Sequence, residues 1–486
     1  MTSLLLGIDE GTTAVKAALF DADLRLLTEA RRPVEVTHPG PGLVEQNPLA
    51  ILDAVVESVG EVLAQADGHE VAVAGLDHQG ESVLAWDARD GSPLTPVIVW
   101  QDKRQESLLA GVDPVAVATS GLPLDPYFSS GKLAWLLRHD ATVARARDRG
   151  SLRLGTVDAF LVDRLGGRFA TDLSTASRTQ LLAIGGRDWD EGLLAAFGVR
   201  REWMPAIGPT FGELGELHCE RWPVAVPLGA QVVDQQAALA GSGAVHPGEL
   251  KASYGTGVFV LGRTAEPVAA RGLLPTVAWA APVGGGGLGE VAHALDGGVF
   301  SAGSLLDWLA DGLGLAEDGP ALAGAAAGVR DSSGATILPA LAGVGAPWWR
   351  PAAHGVIAGL HPGITPAHLG RAALEAIAWR VADIVEAFSA VVPIGRVLVD
   401  GGLTNDEGLL QIQADALGTA LEVGRADVTV LGAALLAGVG AGLFASVEDA
   451  GERLPRRRIV EPRLPEAERR RDRERWREFV QASSRL

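Results

Sequence analysis

The chain has 486 residues, 41 basic and 60 acidic side chains, and a formal charge of −19. That length holds two or more domains with real cores, and 47% apolar with 21% charged residues makes a globular rather than a disordered chain. The negative charge excludes nucleic acid as a main partner, since phosphate binding needs a basic face. The single cysteine, Cys219, excludes a disulfide framework or cysteine-built zinc site, and a cytoplasmic setting is the default.

In chain order, residues 4–9 form an apolar strand, Glu10-Gly11-Thr12-Thr13 a tight turn, and residues 15–20 a second strand. Residues 24–30 supply a third. Helical spacing runs from 48 to 66, with Pro48 in the first turn. Residues 71–76 are a strand that ends in Asp77-His78-Gln79-Gly80-Glu81, and 82–86 and 97–100 are strand-like. This alternation indicates α/β organisation.

A second beginning lies near residue 249. A strand over 249–253 meets the turn Tyr254-Gly255-Thr256-Gly257 and returns over 258–261, like the opening hairpin. The small-residue run 240–248 ahead of it is the linker, which divides the chain into 1–245 and 246–486. Two similar halves place a ligand cleft between them. Further on, Thr365-Pro366 opens a helix reaching about residue 390, residues 396–399 form a strand ending in Asp400-Gly401-Gly402, and a helix over 406–417 closes at Gly418. The uncharged stretch 428–447 is just long enough to span a bilayer, but Gly432, Gly438, Gly440 and Gly442 interrupt it, and it reads as a buried helix with a glycine-rich turn. The charged segment 466–479 reads as a solvated helix. No membrane contact is expected.

Among candidate motifs, Ser129-Ser130-Gly131-Lys132 lacks the first glycine of a P-loop. Gly284, Gly286 and Gly289 fit Gly-x-Gly-x-x-Gly, but no helix opens there, so they mark a hairpin tip. The ten histidines form no ligand cluster. The Gly-Thr turns carry more: they present N–H and hydroxyl donors to an anion, and Asp9 beside the first can hold Mg²⁺ directly or through water. With Asp400-Gly401-Gly402 they make a phosphate-clamp pattern spread over both halves. Asp234, in Asp234-Gln235-Gln236, follows an apolar run and precedes an Ala-rich helix. It is either an N-cap or a general base that accepts a hydroxyl proton during attack on phosphorus.

These motifs follow one another at consistent spacing: Asp9 to Thr13, Val99-Trp100-Gln101-Asp102-Lys103-Arg104, Asp125-Pro126-Tyr127-Phe128-Ser129, Gly155 to Asp158, Ala176-Ser177-Arg178-Thr179, Asp234 to Leu239, Tyr254 to Gly257, Gly343 to Pro347, Arg371 to Glu375 and Asp400 to Gly402. Together they resemble the FGGY family of carbohydrate kinases, and within it the glycerol kinases. The resemblance implies two ribonuclease-H-like, actin-like ATPase domains closing on ATP, Mg²⁺ and a small polyol or sugar, in a homodimer or homotetramer. By position it implies Asp234 as catalytic base and Asp9 as metal contact. Gln79, Glu81, Tyr127 and Gln235 would meet the polyol hydroxyls, and Trp100 and Phe259 its carbon skeleton. Thr12, Thr13 and Lys16 would approach the phosphates, while Thr256, Gly303, Gly402, Asn405 and Asp406 would surround the second clamp and the adenosine.

Three positions depart from the glycerol-kinase pattern. Gly80 stands where those enzymes have arginine, in Asn-Gln-Arg-Glu. Either glycerol binds weakly, or His78 or a water substitutes, or the vacated volume admits a longer polyol or a ketopentose. Glu10 stands where glutamine is frequent. The region 215–222 lacks the glycine-rich loop tied to inhibition by fructose 1,6-bisphosphate, so that inhibition is not expected.

Overall fold

The computed structural model describes residues 3–284, 286–425, 427–455 and 457–483. Two sheets dominate it. The first contains β1 (Leu4–Glu10), β2 (Ala14–Phe20), β3 (Leu26–Pro33), β4 (Val71–His78), β5 (Glu216–Leu217) and β6 (Val226–Val233), in the order β5-β6-β4-β1-β2-β3. Strands β1, β4 and β6 are parallel, while β2 returns antiparallel to β1 through the 11–13 turn. Strand β3 starts at Leu26 rather than residue 24, because Leu24 has a φ of 58° and turns the chain. The predicted strand 97–100 is reduced to Val97–Ile98. Helix α1 (Pro48–Ala64) crosses from β3 to β4, capped by the side chain of Asn47 on Leu49 N.

The second sheet repeats the plan with β7 (Leu250–Tyr254), β8 (Val258–Thr264), β9 (Leu274–Val283), β10 (Gly287–Val299), β11 (Val397–Asp400), β12 (Leu421–Val423) and β13 (Arg458–Val460), ordered β9-β10-β8-β7-β11-β12-β13. Again an antiparallel hairpin, β7–β8, stands beside parallel neighbours β11 and β12. Gly284 and Gly286 lie at the β9–β10 hairpin tip, as the absence of a following helix implied.

Five helices complete the frame used below: α2 (Asp234–Ser242), α3 (Pro366–Ser389), α4 (Glu407–Leu417), α5 (Val428–Gly440) and α6 (Glu466–Ser483). The apolar stretch beginning at 428 is buried as α5, and among the described residues no helix is long and apolar enough to cross a membrane. Although it lies late in the chain, α5 packs on β1, β4 and β6 of the first sheet and on α2. A Cβ on Gly75 would sit 2.0 Å from Ala433 O, and one on Gly432 would sit 1.8 Å from Ala237 O. Glycines at these crossings let backbone lie on backbone. The resulting central cluster joins Leu5, Val73 and Val232 of the first sheet to Leu261 and Leu398 of the second through Leu239, Leu431 and Leu435. The halves are thus distinct in sequence and interlocked in packing. Helix α6 is less solvated than its composition implied. Its Trp476 and Val480 are buried, and Arg473 reaches Asp383 (2.6 Å) and Glu386 (2.5 Å) on α3.

The α2–α5 crossing gives a direct test. Gly432→Ala should cost about 1–3 kcal/mol or more, as overpacking does, read as a lower denaturant midpoint. Gly324→Ala, in the helix Gly319–Ala326 with no atom within 4 Å of the new Cβ, should leave the midpoint unchanged or raise it.

Candidate active site

The parallel strands deliver acids to their carboxyl ends, where ligands of open α/β sheets bind. Asp9 is the last residue but one of β1 and lies beside Asp77 of β4 in register, and Asp234 follows β6 as the first residue of α2. Asp77 is fully buried, and neither of its carboxyl oxygens meets an N–H or O–H donor. Burial holds its pKa well above the ordinary range, and the neighbouring Asp9 charge adds to that. Asp9 itself is pushed up to about 6 by burial, with the Asp77 bond and Lys16 opposing that and the Asp234 charge adding to it.

Asp234 is not a helix N-cap. That position is Val233, and Asp234 Oδ1 accepts from the adjacent Gln235 N (2.6 Å). Its second oxygen accepts no hydrogen bond among the described residues. Burial raises its pKa, opposed by the Gln235 N–H and the charges of His78 and Lys251. Lys251, buried on β7 of the second half, donates to Gln235 Oε1 (2.8 Å).

The predicted polyol wall assembles beside Asp234. Trp100 and Tyr127 meet edge to face at 5.8 Å, and Glu81 lies at their side with a φ of 58°. Tyr127 sits on a loop held by Lys132, whose ammonium donates to the carbonyls of Pro126 (3.0 Å), Tyr127 (2.6 Å) and Phe128 (3.3 Å). Burial pushes Lys132 down to about 7, while three carbonyls match the three donors of its charged form. Phe259, on β8, faces Gly298 of the neighbouring strand.

Gln79 is placed differently from expectation. Its amide donates to Glu10 Oε1 (2.8 Å) and Gln46 Oε1 (2.8 Å) and accepts from Ser82 Oγ (3.0 Å), so no donor remains for a polyol. Gln46 also donates to Thr12 O (2.8 Å), Ser82 Oγ accepts from Trp100 N (3.0 Å), and Trp100 Nε1 donates to Thr12 Oγ1 (3.1 Å). Glu10 is therefore an internal acceptor, pushed well up by burial, rather than a charge facing the phosphates. His78 does not substitute for the missing arginine either: its ring nitrogens meet Gln79 O and Thr175 Oγ1, both at 2.9 Å.

The phosphate turns occupy corresponding places in the two halves. Thr12 and Thr13 lie in the first turn, with Thr13 exposed. Lys16 instead pairs with Asp427 and lies 3.8 Å from Glu29. In the second turn, Thr256 O accepts from Ala302 N (2.9 Å), and a Cβ on Gly303 would meet Gly255 O at 2.7 Å, so only glycine brings this helix start so close. Tyr254 turns inward and donates to Gln413 (2.8 Å), in the core rather than the clamp. Gly402 is open, and Asn405 lines a cleft of about 250 Å³ with Ala323, Ala327, Arg371 and Leu374. Asp406 is committed to capping α4 through Leu409 N (2.7 Å). No group of three metal-ligating side chains exists among the described residues. The Asp9 carboxylate still fits Mg²⁺, which takes one or two carboxylates and completes its shell with phosphates and water.

Comparison with known proteins decides the family. Residues 4–241 match the N-terminal domain model of the FGGY family of carbohydrate kinases, and residues 250–441 its C-terminal domain model. The chain belongs to the FGGY family of carbohydrate kinases. This FGGY chain is 40% identical over 454 residues to a glycerol kinase of Geobacter sp. (strain M21), covering 90% of each chain. It is 39% identical to one from Citrifermentans bemidjiense, over 99% of this chain and 98% of that one. Its backbone superposes on Plasmodium falciparum glycerol kinase with ADP at a TM-score of 0.92 and 27% identity, covering 99% and 98% of the two chains. A xylulose kinase of Rhodospirillum rubrum, at 23% identity, TM-score 0.85 and 99% and 100% coverage, shares the fold. The protein is thus a nucleotide-dependent kinase of a small polyol or sugar, built on two actin-like domains.

Arg178, Lys251 and Asp296 escaped the sequence reading as site residues, although Arg178 lies in a quoted motif and Lys251 is one of only four lysines. Lys132 is the support most open to test. Lys132→Met should raise the polyol KM several-fold, leave the nucleotide KM unchanged, and cost about 1–3 kcal/mol in denaturant titration from the carbonyls left unpaired.

Proposed function

We propose that this FGGY kinase transfers the γ-phosphoryl group of ATP to a terminal hydroxyl of glycerol, with Asp234 as general base. The observation that carries this reading is the placement of Asp234. One oxygen is fixed on Gln235 N, the other is uncommitted, and its charge is felt by Asp9, Glu81, Tyr127 and Lys251. The proton of the polyol hydroxyl passes to Asp234, the freed oxygen bonds to phosphorus, and the bond from phosphorus to the leaving ADP oxygen breaks. Mg²⁺, held at Asp9, would neutralise charge on the phosphates. Residues 1–245 carry the polyol wall and base, while 246–486 carry the second clamp and the Asn405 cleft. Closure of the two excludes water, which otherwise competes as acceptor.

A Cβ on Gly80 would meet Val233 Cγ2 at 2.8 Å, so a longer side chain there requires Val233 to shift. Glycerol is favoured by the glycerol kinases among the relatives.

Coupled ADP release over glycerol, tetritols, pentitols and ketopentoses should give the highest kcat/KM with glycerol, and a ketopentose preference would overturn the assignment. Asp234→Asn should lower kcat about 10²–10⁴-fold while calorimetry shows nucleotide binding retained. Because only the carboxylate accepts a proton and burial raises its pKa, kcat/KM should rise with pH through an acid limb lying above the ordinary aspartate value of about 3.9. A profile already flat at that pH would remove Asp234 as base.

A further inference from the structure

Glu81 needs a cationic partner, since burial opposes its charge and Gly80 supplies none. The partner is Arg178, almost a hundred residues away. Its Nε donates to Glu81 Oε1 at 2.7 Å, and its second terminal nitrogen, Nη2, lies 2.9 Å from Asp296 Oδ2. Glu81 and Arg178 belong to the first half, while Asp296 lies on β10 of the second sheet, opposite Leu261 and Leu274. The same guanidinium stands 5.8 Å from the centroid of the Tyr127 ring. Next to it, Ser177 Oγ meets Thr276 Oγ1 (2.9 Å) and accepts from Val277 N (3.1 Å), so the segment is moored to the second half on two sides.

All three charges are buried, with side chains about 5–6% exposed. Arg178 Nη1 and Asp296 Oδ1 have no hydrogen-bond partner. Native cores seldom leave such groups unpaired, and they do so where function sets the geometry. Removing charges from water nearly cancels what their attraction returns, so this triad is poorly explained as a stabilising device.

We propose that Arg178 is the positioning residue for polyol recognition: anchored by Asp296 of the second half, it holds the Glu81 carboxylate in place and aimed. Polyol recognition in this chain therefore depends on both halves, although the recognising carboxylate lies in the first. The inference rests on the reading of Glu81 as a polyol contact.

The test is a double-mutant cycle by steady-state kinetics with glycerol and ATP. Arg178→Ala and Asp296→Asn should each raise the glycerol KM about 10- to 100-fold, the range for loss of a charge-assisted hydrogen bond, with the ATP KM within about twofold. Arg178→Lys should recover only part of the loss, since an ammonium cannot reach both carboxylates in the same plane. In a Glu81→Gln background, Arg178→Ala should add almost nothing to the glycerol KM, because its target is gone. Full additivity, or an unchanged glycerol KM in Arg178→Ala, would overturn the proposal, as would equal rises in both KM values. Melting curves identify variants that fail to fold, and Arg178→Gln then replaces Arg178→Ala in the cycle. Should the wild type release ADP with another polyol and not with glycerol, the substrate assignment fails separately, and the cycle is read on that polyol.

Discussion

The α2–α5 crossing is the contact on which the remaining geometry depends. Backbone meets backbone because Gly241 and Gly432 carry no side chains: a Cβ on either would lie within 1.9 Å of a carbonyl oxygen of the opposite helix. From that crossing the two sheets spread with their parallel strands directed at one cleft. Asp234 begins one of the crossing helices, and Asp427 precedes the other and neutralises Lys16. Any change in helix separation would move Asp234 relative to Asp9 and to the 11–13 turn.

Charge at the cleft floor follows from the same layout. Strand ends collect Asp9, Asp77 and Asp234 in one place, where three ionised carboxylates would repel one another. Burial raises the pKa of Asp77, and Lys251 comes from the second sheet toward Asp234, where its charge opposes the rise. The second half thus brings Lys251 toward Asp234 as well as Asp296 to Arg178. Both are buried and both reach across.

Much of this was legible in the sequence, because short-range patterns report local structure. Apolar runs and Gly-Thr turns located both hairpins, and Thr365-Pro366 located α3. Trp100 and Tyr127, drawn from separate motifs, do pack together, with Glu81 tied to the Arg178 that stands over Tyr127. What the sequence concealed were side-chain commitments set by tertiary neighbours. Gln79 looks like a ligand residue, yet its amide is spent on Glu10, Gln46 and Ser82. Tyr254 looks like clamp and is core. Arg178 and Asp296 lie more than a hundred residues apart, and no spacing rule joins them.

The closed circuit through Thr12, Gln46, Gln79, Ser82 and Trp100 has a thermodynamic corollary. Its members hydrogen-bond one to the next around the ring, so the 11–13 turn and the Trp100 indole are tied together before any ligand arrives. Binding then costs little ordering entropy on this side of the cleft. The freedom that remains to be lost lies in the substrates and in the approach of the second half, and affinity should accordingly be more sensitive to residues governing that approach than to those lining the preset wall.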